Sequence, residues 1–203
     1  MIYLDDDIAG FDFEASLPLL SEQRRKQALK FKHDQGRKTC AMAYLLLCRA
    51  LREEYGISEC PLFEYGEHGK PAIAGRPDIH FNLSHCREAV VCAVADCPVG
   101  IDVESIRDFS ESLVDYTMNA REVAQIRQAV DPRREFIRLW TRKEAVLKLS
   151  GRGISNDIKN VLADFTGTIE TIDHPRLGYI CSVATDGLEK LPETTNYIIN
   201  KVI

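Results

Sequence analysis

Two stretches of the chain carry acids and lysines at spacings that chemistry can use. The first is Gly100-Ile101-Asp102-Val103-Glu104. On a strand, residues two apart share a side, so Asp102 and Glu104 face one way while Ile101 and Val103 face the core. Carboxylates held this close repel, and a partly buried one takes up a proton unless a cation compensates. A divalent metal is the simplest compensation, and oxygen ligands without nearby His or Cys favour magnesium or manganese over zinc. Taken alone, the pair is more often an exposed strand edge or a partner for Arg107. The second stretch runs from Trp140 to Lys148. Trp140, Glu144 and Lys148 are four apart and share one helix face. Either Glu144 and Lys148 form a surface pair of about 0.3–0.5 kcal/mol, or Glu144 is a third carboxylate for the metal and Lys148 a phosphate contact.

Two further segments offer anion-binding chemistry. Asn82-Leu83-Ser84-His85 is expected in a turn after a strand, presenting a hydroxyl, an imidazole and backbone amides. A Ser84–His85 hydrolytic pair is the poorer reading, because no G-x-S-x-G elbow surrounds it. Gly66-Glu67-His68-Gly69-Lys70-Pro71 lacks the spacing of a phosphate-binding P-loop, with Pro71 where a magnesium-binding hydroxyl would stand. It reads instead as a turn that presents Lys70.

These segments need a framework. The chain has 203 residues, 45% apolar and 28% charged, the balance of a soluble globular protein. No apolar run approaches the roughly 20 residues that cross a bilayer, and the amino terminus does not read as a secretory signal. Cysteines at 40, 48, 60, 86, 92, 97 and 181 include no C-x-x-C pair, so free thiols in a reducing cytoplasm are expected. A net charge of -5 argues against nucleic acid as a partner. Locally, nine Lys or Arg face two acids over 22–52, and eight face three over 133–159, which suits a compact polyanion held with a metal.

Hydrophobic spacing predicts a short helix from Ser21, a long one over 37–55, and another over 133–149. Strands are expected over 61–65, 78–82, 89–95, 99–104, 161–165, 167–172, 178–185 and 196–202. The runs 90–96 and 179–186 echo each other, and both follow a long helix ending near Gly-Ile. The expected fold is therefore α+β, with two similar lobes of about 100 residues related by internal duplication, each an antiparallel sheet with a long helix. The boundary is placed at Pro98, giving an N-terminal lobe of 1–98 and a C-terminal lobe of 99–203, with a site between them.

Taken in order, Gly69-Lys70-Pro71, Asn82-Leu83-Ser84-His85, Gly100 to Glu104 and Trp140 to Lys148 resemble the signatures of the 4′-phosphopantetheinyl transferases. The likeness is to their longer, pseudo-dimeric class, typified by the surfactin-synthetase-activating enzyme. The resemblance implies transfer of the phosphopantetheine arm of coenzyme A to a serine of an apo-acyl or peptidyl carrier protein, releasing adenosine 3′,5′-bisphosphate. It implies magnesium, or manganese, held by Asp102, Glu104 and Glu144. Lys148 would meet the diphosphate, Gly69, Lys70 and Pro71 the adenosine end, and Asn82, Ser84 and His85 would line the coenzyme, Ser84 and His85 at phosphate oxygens. Arg24 would help bind the 3′-phosphate, and Glu144 would take the serine proton. Gln27 stands where the family often has a basic residue, and Cys86 where it often has serine. A monomer is expected, because the two lobes already form a pseudo-dimer. The rival readings are a metal-dependent phosphodiesterase acting on coenzyme A or holo-carrier protein, and a non-enzymatic module that docks carrier proteins.

Overall fold

The computed structural model describes residues 1–151, 153, 158–174, 176–186 and 198–199. It is a mixed α+β structure in which two sheets, antiparallel except for one parallel pairing, each carry one long helix. The first half contains β1 (Ile2–Asp5), α1 (Phe13–Ser16), α2 (Glu22–Leu29), α3 (Asp34–Tyr55), β2 (Phe63–Tyr65), β3 (Pro71–Ile73), β4 (His80–His85) and β5 (Val90–Ala95). The second contains β6 (Val99–Ser105), α4 (Glu111–Thr117), α5 (Ala120–Gln128), α6 (Pro132–Ser150), α7 (Val161–Asp164), β7 (Thr168–His174) and β8 (Tyr179–Thr185), followed by β9 (Ile198–Ile199).

The helix ends follow from local chemistry. Ser21 caps α2 by accepting the Arg24 N–H. Helix α3 begins at Asp34, three residues before the start expected from hydrophobic spacing, because its first turn is polar and stabilised by an acid at the helix N-terminus. It stops at Gly56, whose φ of 66° is the left-handed conformation that returns its N–H to Arg52 and Leu51. Helix α6 starts on Asp131, which accepts the Arg133 and Arg134 N–H groups, with Pro132 preset in the first turn.

One sheet has the order β4-β5-β1-β9 and the other β6-β8-β7. The order β4-β5-β1 in one matches β7-β8-β6 in the other. In each, the long helix follows strand β1 or β6, and the echoing segments are β5 and β8, the middle strands of the matching threes. Strand β9, from the second half of the chain, pairs in parallel with β1 of the first. The expected strand over 196–202 otherwise lies outside the described residues, as do Arg152, residues 154–157, Pro175 and residues 187–197.

The cores are layered. Leu46, Leu47 and Leu51 of α3 pack with Tyr3, Val90, Cys92 and Val94 on one face of the first sheet. The other face gives Ile2, Leu4, Val91 and Ala93 to a second cluster, shared with Ile101, Val103, Tyr179, Cys181 and Val183 of the second sheet. Helix α6 covers the outer side of that second sheet, with Ala145 and Leu149 against Ala184. Gly100 makes this approach possible, because a Cβ there would lie 2.0 Å from the Ala145 carbonyl oxygen and 2.4 Å from the Leu149 nitrogen. Gly100→Ala is expected to destabilise the protein by at least about 1–3 kcal/mol, the range for overpacking a filled site. The urea midpoint would report it.

Other elements differ from expectation. Residues 161–164 form a helical turn rather than a strand: Asn160 accepts the Ala163 and Asp164 N–H groups. A run this short carries no period that separates helix from strand. The segment 105–131, for which no element was expected, holds α4 and α5, the latter capped reciprocally by Asn119 and Glu122. All seven cysteines are free thiols; Cys60 is exposed and Cys40, Cys92 and Cys181 are buried. Burial pushes the Cys86 thiol up to about 11 and, with the neighbouring Cys60, the Cys48 thiol up to about 12. A thiol-specific reagent is expected to label Cys60 in the native protein and Cys40, Cys92 and Cys181 only after unfolding. Peptide mapping would distinguish the two populations.

Candidate active site

The two sheets meet along the edges of β4 and β6, and side chains replace the missing backbone ladder there. Asn82 Oδ1 accepts the Ile101 N–H at 2.9 Å, and Ser84 Oγ accepts the Val103 N–H at 3.3 Å. Residues 82–85 therefore lie within a strand, not in the expected turn, and the pleat directs Asn82 and Ser84 toward the seam.

A cavity of about 390 Å3 opens on this seam, lined by Leu83, Ser84, His85, Asp102, Glu104, Trp140, Glu144 and Lys148. Strand β6 supplies Asp102 and Glu104, and the α6 face at intervals of four supplies Trp140, Glu144 and Lys148. The chain thus gathers the acids and Lys148 around one cavity; their spacing predicted that each set shares a side, and left open whether the strand and the helix meet. Lys148 Nζ lies 2.6 Å from Asp102 Oδ1 and 3.0 Å from Ser84 Oγ. It pairs with Asp102, and no ion pair to Glu144 forms among the described residues. The Ser84 hydroxyl donates to Asp102 Oδ1 at 3.0 Å. With Val103 and Lys148 as donors, that hydroxyl is fully engaged, so it is not free for the phosphate contact the resemblance implies, and the hydrolytic pair stays the poorer reading.

The electrostatics are those of crowded acids. Glu104 and Glu144 are half-buried, and the carboxyls of both are held above the ordinary glutamate range, first by burial and next by the negative charge of Asp102. The Trp140 indole and Arg107 pull Glu104 back, and Lys148 pulls back both. Asp102 is 4% exposed, and its Oδ2 has no hydrogen-bond partner among the described residues. His85, at the solvent end of β4, is held below the usual imidazole value by burial and then by the Lys148 ammonium.

A second cavity, of about 230 Å3, adjoins the first and shares Leu83, Glu144 and Lys148 with it. Its walls include Gly69, Lys70, Pro71 and Asn82, as the sequence anticipated. They also include His68, Gly151 and Gly153, which it did not. The signal for the glycines was present in the G-x-G that follows the helix; His68 had none beyond its place in the turn. The turn itself closes with Gly69 at φ 79°, its N–H on the Gly66 carbonyl. Lys70 corrects an expectation. Its ammonium donates to Val99 O at 3.2 Å and Leu149 O at 3.0 Å, so the turn offers the cavity its backbone and the lysine stem. Arg24 is not brought to either cavity. It is 9% exposed, between the rings of Tyr44 and Phe63 at 5.3 and 4.9 Å, with Nη1 on Cys40 Sγ. A guanidinium stacked on aromatic faces is held by cation–π attraction, which keeps it from a phosphate in the cleft.

Sequence reasoning also missed Lys143, which lies beside Glu144 yet points the other way. It is fully buried, 2.9 Å from Glu122 Oε2 and donating to Ile158 O and Lys159 O at 2.9 and 2.8 Å.

A cleft between two α+β halves, with three acids and a lysine on facing elements, is an arrangement for holding phosphate chemistry. A family model described as the 4′-phosphopantetheinyl transferase superfamily matches residues 98–197. The 4′-phosphopantetheinyl transferase psf-1 of Bacillus pumilus is 33% identical over 178 residues, spanning 84% of this chain and 76% of that protein. The transferase gsp of Aneurinibacillus migulanus is 29% identical over 80% of this chain and 75% of its own. Sfp of Bacillus subtilis (strain 168) is 27% identical over 76% of this chain and 70% of its own. The chain belongs to the 4′-phosphopantetheinyl transferase superfamily and is an enzyme of that kind, which removes the reading as a non-enzymatic module.

Proposed function

We propose that this enzyme transfers the 4′-phosphopantetheine group of coenzyme A to a serine of an apo-acyl or peptidyl carrier protein. The observation that carries the proposal is the convergence of Asp102, Glu104, Glu144 and Lys148 on one interlobe cavity, continuous with the wall formed by Gly69, Lys70 and Pro71. The serine oxygen bonds to the pantetheine-side phosphorus, the bridging P–O bond breaks, and adenosine 3′,5′-bisphosphate leaves with the bond electrons. Such a reaction asks the protein for positioning and charge neutralisation more than for covalent chemistry.

The donor set fits magnesium, or manganese, as the cation. It is all oxygen, three acids outnumber the one lysine beside them, and a buried Asp102 oxygen has no partner among the described residues. Among the described residues no three such groups stand close enough to hold an ion as they are, so binding entails side-chain movement at Asp102, Glu104 and Glu144. A bound ion would supply charge neutralisation at the diphosphate. The protein's own groups do the rest. Lys148, held against Asp102 by Ser84, can turn to a phosphate oxygen while keeping its place at the seam. Glu144, whose carboxyl burial and Asp102 hold above the ordinary glutamate range, accepts the serine proton directly or through water. His85 at the cavity rim and the backbone of the 66–71 turn flank the remaining phosphate and the adenosine.

We further infer that the two halves arose by duplication, supported by their matching sheet orders and by the echo of β5 and β8. The enzyme is inferred to act as a cytoplasmic monomer, consistent with its free thiols and its internally paired sheets. No helix among the described residues is long and apolar enough to cross a membrane.

The deciding experiment incubates the protein with coenzyme A, magnesium and an apo-carrier protein and weighs the carrier. A gain of about 340 Da, the mass of the transferred arm in this phosphoryl transfer, is expected. No gain, with loss of the arm from a holo-carrier instead, would replace transfer by phosphodiester hydrolysis. Leaving out the divalent ion and adding a chelator is expected to abolish the gain.

A further inference from the structure

Helix α6 has a second charged side. Residues two apart on a helix differ by about 200° around its axis, so Arg142 points away from the face bearing Trp140 and Glu144. Arg138, one turn before it, lies on the same side. Here α5, α6 and α7 enclose a cavity of about 340 Å3, lined by Arg121, Gln125, Arg138, Arg142 and Asn119 among others, and sharing no residue with the catalytic cavities.

The charges in this cavity do not balance. Glu135 is taken by Arg138 in a two-pronged pair, with bonds of 2.9 and 2.7 Å. Gln125 donates to the same carboxylate. Glu122 is engaged by buried Lys143 at 2.9 Å and by the Asn119 N–H at 2.9 Å. That leaves Arg121 and Arg142 with no carboxylate in ion-pair range among the described residues. Among the described residues the one hydrogen bond from Arg142 is to Thr171 Oγ1, and at 3.5 Å it is weak. Arg142 is half-buried, and its guanidinium is held below the ordinary arginine range by burial and then by Arg138. Like charges one helical turn apart disfavour the helix unless something neutralises them.

We propose that this cavity binds a phosphate-class oxyanion, held by Arg121 and Arg142. Two unpaired guanidiniums from different helices match an anion with several acceptor oxygens and two charges, and planar guanidinium forks suit phosphate in particular. The volume admits a phosphate group with a short ester arm or with bridging water. The site stands behind α6, on the side opposite the catalytic acids, and its argument does not use the transfer reaction.

The test follows the melting temperature of the full chain at fixed ionic strength as sodium chloride is exchanged for inorganic phosphate. An anion that binds the native state raises that temperature, with the logarithm of its concentration relative to its dissociation constant. The wild type and Lys148→Ala are expected to respond alike, whereas Arg142→Gln should require about tenfold more phosphate for the same response, the loss expected for one charge-assisted bond. Arg121→Gln, at an exposed position, should shift in the same direction and carries the test by itself if the Arg142 variant does not fold. The proposal is overturned if phosphate does no more than chloride, or if both arginine variants respond as the wild type does. It is equally overturned if Lys148→Ala loses the response while they keep it, since the ion would then sit in the catalytic cleft. Glycerol 3-phosphate, as a second probe, separates sources: tighter binding than inorganic phosphate assigns the site to a phosphate monoester, and equal or weaker binding to the free ion.

Discussion

Asp102→Asn is expected to abolish transfer to a carrier protein, lowering turnover by at least about 10²–10³-fold, the scale of losing one preorganised charged group. The reason lies in how Asp102 is held. One oxygen takes Lys148 and Ser84, while the other is buried and unpartnered among the described residues. Asparagine keeps the shape and an oxygen for Ser84 but removes the charge a divalent ion would need. The fold should survive. Asp102 is the neighbour that does most, after burial, to raise Glu104 and Glu144, so its neutralisation relieves both. Lys148 loses its counter-charge, but its side chain is 29% exposed and water can take over, at a cost of about 0–1 kcal/mol. Carrier mass spectrometry and a melting curve, run on the same preparation, check the two halves of this expectation. Full transfer by the variant would remove Asp102 from the reaction.

Lys143→Ala should have the largest effect on stability, a loss of about 3–5 kcal/mol, because truncating one partner of a buried ion pair leaves the other charge stranded. The lysine is 0% exposed and Glu122 8% exposed on their side chains. The variant also deprives the Ile158 and Lys159 carbonyls of their shared donor, loosening the segment that follows α6. Joint replacement, Lys143→Met with Glu122→Gln, should recover much of the loss, since a neutral pair of similar size has no charge to strand. Denaturant midpoints of the wild type, the single variant and the double variant would show it. An unchanged midpoint in Lys143→Ala would mean that the pair contributes nothing net.

The contrast between these lysines marks what was legible in the sequence. Asp102 and Glu104 were readable because a strand repeats every two residues, and Trp140, Glu144 and Lys148 because a helix brings every fourth residue round to one face. Neither rule says whether a charge looks at solvent, a carboxylate or a carbonyl. Lys143 and Lys148 both sit in a charged helical run, yet one is buried in a structural pair and the other stands in the cavity. Arg24 was misplaced for the same reason: a basic helix reads alike whether its arginine reaches a phosphate or lies between Tyr44 and Phe63. Lys70, expected to present its charge to a ligand, lies in the cavity wall with its ammonium on backbone carbonyls that only tertiary contact reveals. The strands were largely visible, but their order was not, because pairing such as β6 with β8 joins residues far apart in sequence.

If the two halves arose by the duplication proposed above, the apolar layer between the sheets has a bearing on how such a chain came to be. Ile2, Leu4 and Val91 on one side and Ile101, Val103 and Tyr179 on the other cover each other. A half-length ancestor would have left that face wet, and could have dried it only by meeting another copy of itself. Such an encounter depends on how many copies are present. Joining the copies in one polypeptide replaces it with a fixed local concentration set by a tether of a few residues. Each half is then free to diverge, one keeping the acids and the other the turn that faces them, without losing its partner.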